Sequence, residues 1–361
     1  MRILFVCKRH PQQRDLIERP YGRFFHLPKV LAARGHEVQV LLCSHHRLPS
    51  LRRHFEGIDW ISHDFRTLGP YRLLQTAKHE AETFKPNWVV GFSDTYCGWL
   101  AGHLAERTRA HLAIDAYDNF EAYMQWNLPL HWMWRRAVRS ADLVTAAGPQ
   151  LARLLQSHRR NGHPVEVLPM AADPEFVPLD RMQCRERLAL PSHATLAGYI
   201  GSWATNRGSG LLIEAFRRAR SVQKNLQLVL SGRPPEYALK EPGVIALGYI
   251  PDDQLPVLIN ALDIACVITA DTNFGRYSYP AKLCEAMACG VPVAATATDP
   301  VRWMLDGRKE HLAPVGDADA LAQRMLDLIA SPRADYGLTA GWTTLAERLD
   351  YLLTHADRSM R

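Results

Sequence analysis

The stretch TLAGYIGSWATNRGSGLLIEAF, residues 195–216, holds three signals in succession: a short apolar run, a glycine-bearing polar loop and an amphipathic run. The apolar run is continuous rather than alternating, as expected of a strand covered on both faces. In the amphipathic run Leu211, Leu212, Ala215 and Phe216 repeat at i, i+4 spacing and make one apolar stripe, the mark of a helix with one buried side. Strand, loop and helix in that order form the repeating unit of a parallel α/β sheet.

Outward from this unit the alternation continues. Downstream, LQLVLS (226–231), VIAL (244–247), DIACVIT (263–269) and VPVAAT (291–296) read as strands separated by helical patterns. Upstream, RILFVC (2–7), EVQVLL (37–42), WVVG (88–91), LAID (112–115) and LVTA (143–146) do the same. Between the two sets VLPMAADPEFVPLD (167–180) carries three prolines and reads as a linker. A chain of 361 residues accommodates two domains of about 150–200 residues. The expected organisation is two doubly wound α/β domains, 1–166 and 167–340, followed by a closing helix over 341–361. In that helix Trp342, Leu345, Leu349 and Leu352 fall at helical spacing, which core packing explains.

The composition, 47% hydrophobic and 22% charged, excludes a disordered chain. The seven cysteines form no CxxC and several lie in apolar runs, so they read as buried reduced thiols in a cytoplasmic protein. The opening MRILFVCKRH has only five apolar residues before Lys8 and Arg9, unlike a leader peptide. No window approaches the ~20 apolar residues of a membrane span, so any membrane contact is expected to be peripheral. Residues 1–165 hold 23 Lys and Arg against 14 Asp and Glu, and 13 of the 16 histidines. This is either an ordinary solvated surface or a face toward something anionic, such as a lipid surface or a phosphorylated acceptor. No basic helix or stacking motif of a nucleic-acid reader is present.

Ligands of doubly wound sheets bind beyond the carboxyl ends of the strands, and three such ends carry suitable residues. After the first strand a polar loop, 8–20, leads to Gly22, where the backbone can approach a ligand, and to Arg23, available for a phosphate. The absence of GxGxxG argues against a dehydrogenase. After strand 195–201, RGSG opens a helix whose free amides and dipole suit a pyrophosphate, with Arg207 as a fixed cation. An ordinary surface arginine is the competing reading. In YSYPAKLCEAMACGVPVAAT (277–296), Pro280 suits a first helical turn, and Lys282 and Glu285 share one face. A carboxylate there can accept both hydroxyls of a ribose, and the lysine can neutralise a phosphate. The alternative is an i, i+3 surface ion pair of little energetic weight. A fourth, weaker candidate is Asp115 and Asp118 after the strand at 112–115. They either orient an acceptor hydroxyl, or serve as a turn residue and a helix cap. Asp252 and Asp253 of PDD (251–253) read as helix capping rather than a metal motif. His45 and His46 have no partner at ligand spacing, and no metal site is expected.

Taken together these segments resemble glycosyltransferase family 4, whose architecture is GT-B. GYIGSWATNRGSGLLIEAF is similar to its Gly-Arg-x-x-x-x-Lys-Gly phosphate loop, VLPMAADPEFVP to its IPNGVDxxxFxP segment, and KLCEAMACGVPVAAT to its EAMACGVPVVAS signature. IALGYIPDDQLPVLINALDIACVIT, LAARGHEVQVLL and the closing GWTTLAERLDYLL match its other segments in order. The resemblance covers nearly the whole chain and is strongest after residue 165. It implies two Rossmann-like domains facing each other across a cleft. It implies retaining transfer of a sugar from a nucleotide diphosphate, UDP before GDP or ADP, with no cofactor and no metal. The basic first half points to a glycan or lipid-linked sugar of a surface polysaccharide as the acceptor. By the same resemblance Glu285 holds the ribose, Arg207 stands at a phosphate-binding lysine, and Gly22 is the donor-loop glycine. Ser278, Tyr279, Pro280 and Ala281 lie along the donor sugar, with Lys282 and Leu283 following. Arg207 and Lys282 take the charge of the leaving diphosphate, and Tyr117 or Asp118 stands where the family often has a histidine. The chain departs from the pattern at Tyr277, in place of the first glutamate of Glu-x7-Glu, and at Ser202, in place of a phosphate-binding arginine. Two other readings remain: a nucleotide-sugar epimerase of the same fold, with Asp115 and Asp118 as acid and base, and a non-catalytic nucleotide-binding relative.

Overall fold

The computed structural model describes residues 1–159, 163–201, 203, 208–331, 333–337 and 340–359, with side chains through residue 356 in the last helix. It divides into two compact units, Met1–Pro169 with Ala340–Arg361, and Met170–Thr339.

The first unit runs β1 (Arg2–Lys8), α1 (Gly22–Ala33), β2 (Glu37–Ser44), β3 (Leu51–Phe55), β4 (Ile58–Asp64), α2 (Phe65–Phe84) and β5 (Trp88–Gly91). It continues with α3 (Thr95–Thr108), β6 (His111–Ala116), α4 (Leu128–Ser140), β7 (Leu143–Ala146), α5 (Pro149–Gln156) and β8 (Val165–Val167). The sheet order is β3-β4-β2-β1-β5-β6-β7-β8, parallel except where β3 pairs antiparallel with β4. Every residue from Ile3 to Cys7 is fully buried, which is why that strand reads as an unbroken apolar run. Strands β3 and β4 escape the sequence pattern because Arg52, Arg53, His54 and Asp59 interrupt it. They are joined through Glu56 (φ 54°) and Gly57 (φ 71°), a two-residue loop with both residues left-handed, as a hairpin of this twist demands. The charged outer strand also blunts the sheet edge.

The second unit runs α6 (Arg181–Arg187), β9 (Thr195–Ile200), α7 (Ser209–Val222), β10 (Leu226–Ser231), α8 (Glu236–Leu239), β11 (Val244–Gly248) and α9 (Leu255–Ala261). It continues with β12 (Ile264–Val267), α10 (Ala281–Ala288), β13 (Val293–Thr296), α11 (Asp299–Met304), β14 (Leu312–Ala313) and α12 (Ala318–Leu328). The order β11-β10-β9-β12-β13-β14 is wholly parallel and reverses direction between β9 and β12. Alternate residues feed two cores. Leu196, Val229, Ala265 and Val293 join one, and Ala197, Leu228, Cys266 and Ala294 the other. Gly198 lies under Leu262, where a Cβ would come within 2.3 Å of the leucine side chain. Asp252 and Asp253 form a single 3-10 turn with Gln254 behind Pro251, directly ahead of α9.

The final helix, α13 (Trp342–Ser359), belongs to the first unit. Trp342, Leu345, Ala346, Leu349 and Leu353 are buried, so the stripe ends on Leu353 rather than on the expected Leu352. Trp342 stacks on His26 of α1 with centroids 6.0 Å apart. Asp350 accepts from Arg34 Nε at 2.6 Å and pairs with His36 Nε2 at 2.8 Å. Burial raises the pKa of this carboxyl, but the hydrogen bonds and charges of Arg34 and His36 win and hold it below the ordinary value. The folded state therefore releases this proton more readily than the unfolded chain. The stabilisation is present above the unfolded value and is lost as pH falls through the folded one. Asp350→Ala is expected to cost about 1–3 kcal/mol near neutrality. Urea titrations at stepwise lower pH should show that penalty shrinking below about pH 4. A penalty constant across that range would contradict the assignment.

All seven cysteines are free, and Cys284 alone is not fully buried. No helix among the described residues is long and apolar enough to cross a membrane.

Candidate functional site

In the second unit the reversal of strand order puts a crevice position at the carboxyl ends of β9 and β12. Helix α7 begins there at Gly208 (φ 74°), an N-cap residue with no side chain to meet its free amides. A Cβ on Gly208 would stand 3.5 Å from that of Ala270, so the start of α7 lies against the loop that follows β12. Trp203 donates from Nε1 to the Ser231 carbonyl at 3.3 Å and packs edge-on against Tyr199. Ser202 and Arg207 lie outside the described residues.

The loop after β12 is held firmly. Thr269 N–H donates to Thr296 Oγ1 at 2.7 Å, and that hydroxyl donates back to the Thr269 carbonyl at 2.7 Å. Gly275 N–H donates to Thr272 Oγ1 at 3.0 Å. Arg276 pairs with Asp271 at 2.6 Å on the surface. A Cβ on Gly275 would come within 2.0 Å of the Ala270 carbonyl oxygen, so only glycine lets the loop close. Gly275→Ala is expected to open residues 270–280 at a cost of about 1–3 kcal/mol. The readout is the thermal midpoint with and without nucleotide, and a variant matching the wild type in both would refute the tight loop.

The loop delivers Ser278 and Tyr279, both buried, to the start of α10, with Tyr279 edge-on to Trp303 at 5.7 Å. Pro280 occupies the N-cap position of α10 and likewise offers no side-chain cap. Lys282 Nζ lies 2.6 Å from Glu285 Oε2, with the lysine half-buried and the glutamate 8% exposed. This is the i, i+3 pair read from the sequence, but drawn into the protein rather than spread on its surface. Leu283, between them in sequence, is fully buried in the core. Gly290 (φ 65°) ends the helix, its N–H reaching Met287 and that of Val291 reaching Ala286. The second unit thus presents two uncapped helix starts and a half-buried lysine–carboxylate pair at one sheet edge. That set can bind an anion through amides and dipoles while a carboxylate accepts neutral hydroxyls.

In the first unit the strand order reverses between β1 and β5. The polar loop expected after β1 is present and is partly folded into the unit. Arg9 is buried against Asp15 (Nε to Oδ2, 3.0 Å), and Leu16 and Ile17 enter the core. Gly22 (φ 59°) starts α1 with nothing within 4 Å of a would-be Cβ. Arg23 is 1% exposed and reaches no solvent. Its guanidinium meets Asp115, Nε to Oδ2 at 2.8 Å and Nη2 to Oδ1 at 2.7 Å, and Nη2 donates to the Leu168 carbonyl at 3.3 Å. Asp115 also accepts from Thr145 Oγ1 at 2.5 Å. Arg23 therefore has no place as a phosphate ligand, and Asp115 is neither a turn residue nor an acceptor base. Asp118 is buried and accepts from Tyr123 Oη at 2.7 Å. Burial pushes the neighbouring Tyr117 hydroxyl well above its ordinary pKa.

Two features of this unit were invisible in the sequence. Lys8 Nζ lies 2.7 Å from Asp94 Oδ2; burial lowers the lysine's pKa, but the carboxylate outweighs it and leaves the value raised. His10, a long way from His45 and His46 in the chain, stacks edge-on to His46 at 4.6 Å, and burial lowers the pKa of His10 and His45. Among the described residues no group of histidine, cysteine or acidic side chains is placed to hold a metal ion.

Known proteins match both units. A model described as "Glycosyl transferases group 1" matches residues 194–331, and one described as "Family 4 Glycosyltransferase in conflict systems" matches residues 26–245. The phosphatidyl-myo-inositol mannosyltransferase of Mycobacterium leprae is 29% identical over 188 residues, 50% of this chain and 48% of its own. The D-inositol 3-phosphate glycosyltransferase of Stackebrandtia nassauensis is 28% identical over 238 residues, 60% of this chain and 53% of its own. The chain spans about half the length of the curated relatives it matches. Sucrose-phosphate synthase from Thermosynechococcus elongatus shares the fold at a TM-score of 0.72 and 16% identity, covering 99% of this chain and 100% of that one. HepE of Anabaena in complex with UDP shares it at 0.72 and 15%, covering 98% and 100%. The two parallel α/β units are therefore a GT-B fold. With a family 4 model spanning residues 26–245 and the group 1 model spanning most of the second unit, the chain belongs to family 4 of the glycosyltransferases.

Proposed function

We propose that this protein transfers a sugar, with retention of configuration, from a nucleoside diphosphate held by the second unit to a glycan or lipid-linked acceptor. The observation that carries the reading is the convergence at one sheet edge of two uncapped helix starts with the Lys282–Glu285 pair. In this reading Glu285 accepts the ribose hydroxyls, and the α7 amides with Arg207 face the diphosphate. Lys282 answers the charge that develops on the leaving oxygen. The bond from the anomeric carbon to the diphosphate breaks while the acceptor oxygen bonds to the same face. The acceptor proton passes to the departing phosphate oxygen. Ser278, Tyr279, Pro280 and Ala281 border the sugar, Gly22 keeps the part of the donor-loop glycine, and Asp118 that of orienting the acceptor hydroxyl. No metal or further cofactor enters, because amides and cations supply the positive charge. UDP is favoured as the carrier; the mannosyltransferase names among the relatives make GDP the first competitor. The basic balance of residues 1–165 supports a peripheral contact with a membrane surface, where a surface-polysaccharide acceptor would be met.

Thermal unfolding with saturating UDP, GDP, ADP, CMP and dTDP tests the donor site. A ligand at about 100 times its dissociation constant adds about 2.7 kcal/mol to the folded state. One nucleotide should shift the midpoint well beyond the rest. No shift with any of them would overturn the reading.

A further inference from the structure

The chain between β6 and the middle of α4 leaves large apolar side chains in solvent. Tyr123 is 49% exposed, Trp126 78%, Leu128 68% and Trp132 63%. The core does not need them. Helix α4 is held by its other face, where Leu130, His131, Trp134, Ala137 and Val138 are buried. Trp134 fits so closely over Gly98 of α3 that a Cβ there would come within 2.3 Å of the indole. Asn127 fixes the start of the helix by accepting from Leu130 N–H at 3.2 Å, and Trp126 stands just before that cap.

The outward stripe of α4 has a direction. Leu128 and Trp132 are one turn apart, and Arg135, Arg136 and Arg139 continue the same stripe. Its first half is apolar and its second half basic. Arg135 is paired with Glu121, and Arg139 reaches the His158 carbonyl at 3.5 Å. Arg136 is exposed with no ion-pair partner among the described residues. Tryptophan, tyrosine and leucine beside arginines is the composition that settles at the boundary between lipid headgroups and acyl chains. A glycan partner would leave Leu128 without a stacking surface and the arginines without an anion.

We propose that residues 123–139 dock the first unit on an anionic lipid bilayer. Trp126, Leu128 and Trp132 enter the headgroup boundary, and Arg136 and Arg139 meet lipid phosphates. This deepens the membrane contact in the proposed function. It is tested without any sugar nucleotide, so its failure and that of the donor site are separable.

The test is flotation of the full chain with vesicles of phosphatidylcholine alone, and of equal parts phosphatidylcholine and phosphatidylglycerol. The wild type should float with the anionic vesicles, release as salt is raised, and bind the neutral ones weakly. Trp126→Ala with Trp132→Ala, and separately Arg136→Glu with Arg139→Glu, should each weaken binding at least about tenfold. Both sites are solvent-exposed, so the thermal midpoint should hold; Trp126→Ala alone, outside the helix, should weaken binding several-fold in the same direction. Failure of the wild type to bind anionic vesicles overturns the proposal. So does undiminished binding by the double tryptophan variant, or a wild-type dimer that this variant converts to a monomer in solution.

Discussion

Asp115→Asn is expected to cost the first unit about 3–5 kcal/mol, because it strands a buried guanidinium. Arg23 and Asp115 are each 1% exposed, and the arginine has no route to water when its partner loses charge. The pair joins the start of α1 to the end of β6, with Thr145 of β7 and the Leu168 carbonyl closing the network. The variant should unfold at much lower denaturant. The double variant Arg23→Met with Asp115→Leu should recover most of the loss, since apolar residues of similar volume replace a buried pair at little cost. Chemical denaturation of the two single variants and the double one measures the coupling. Losses below about 1 kcal/mol in the single variants would contradict a sealed pair. The double variant also separates stability from ligand binding: it should keep the full response to nucleotide, because Arg23 does not reach a phosphate.

Glu285→Ala is expected to erase the nucleotide-dependent rise in midpoint while leaving the unliganded protein nearly as stable as the wild type. Two hydroxyls hydrogen-bonded to one carboxylate are worth about 1.5–3 kcal/mol each, so affinity should fall at least a hundredfold. In the unliganded protein the carboxylate has a half-exposed lysine as partner, and losing that pair costs about 1 kcal/mol or less. Calorimetric titration of the best nucleotide from the panel checks the affinity, and urea unfolding checks the apo stability. A variant that binds as tightly as the wild type would remove Glu285 from the donor site.

What was legible in the chain was what is local. The buried parallel strands announced themselves because both faces are apolar, and α7 did so through Leu212, Ala215 and Phe216. The Lys282–Glu285 pair was visible because three residues of helix suffice to bring it together. Strand β3 was hidden because an exposed edge strand is free to be charged, and β14 because Leu312–Ala313 is too short for any period. The fate of Arg23 was unreadable for another reason. Its partner stands 92 residues away, and nothing near either residue in sequence distinguishes a buried pair from a ligand contact. His10 beside His46 depends likewise on how distant loops are folded together.

The placement of α13 has a consequence for synthesis. The last residues of the chain complete the unit that the first residues begin, and the entire second unit is threaded between them. On the ribosome the second unit has all its strands and helices before the first has its final helix. Until α13 emerges, the surface of α1 around His26, Arg34 and His36 waits without Trp342 and Asp350. The order in which the parts mature therefore runs opposite to the order in which they are first translated. A premature stop that falls after the second unit and before Trp342 would release a finished second unit beside an unfinished first one.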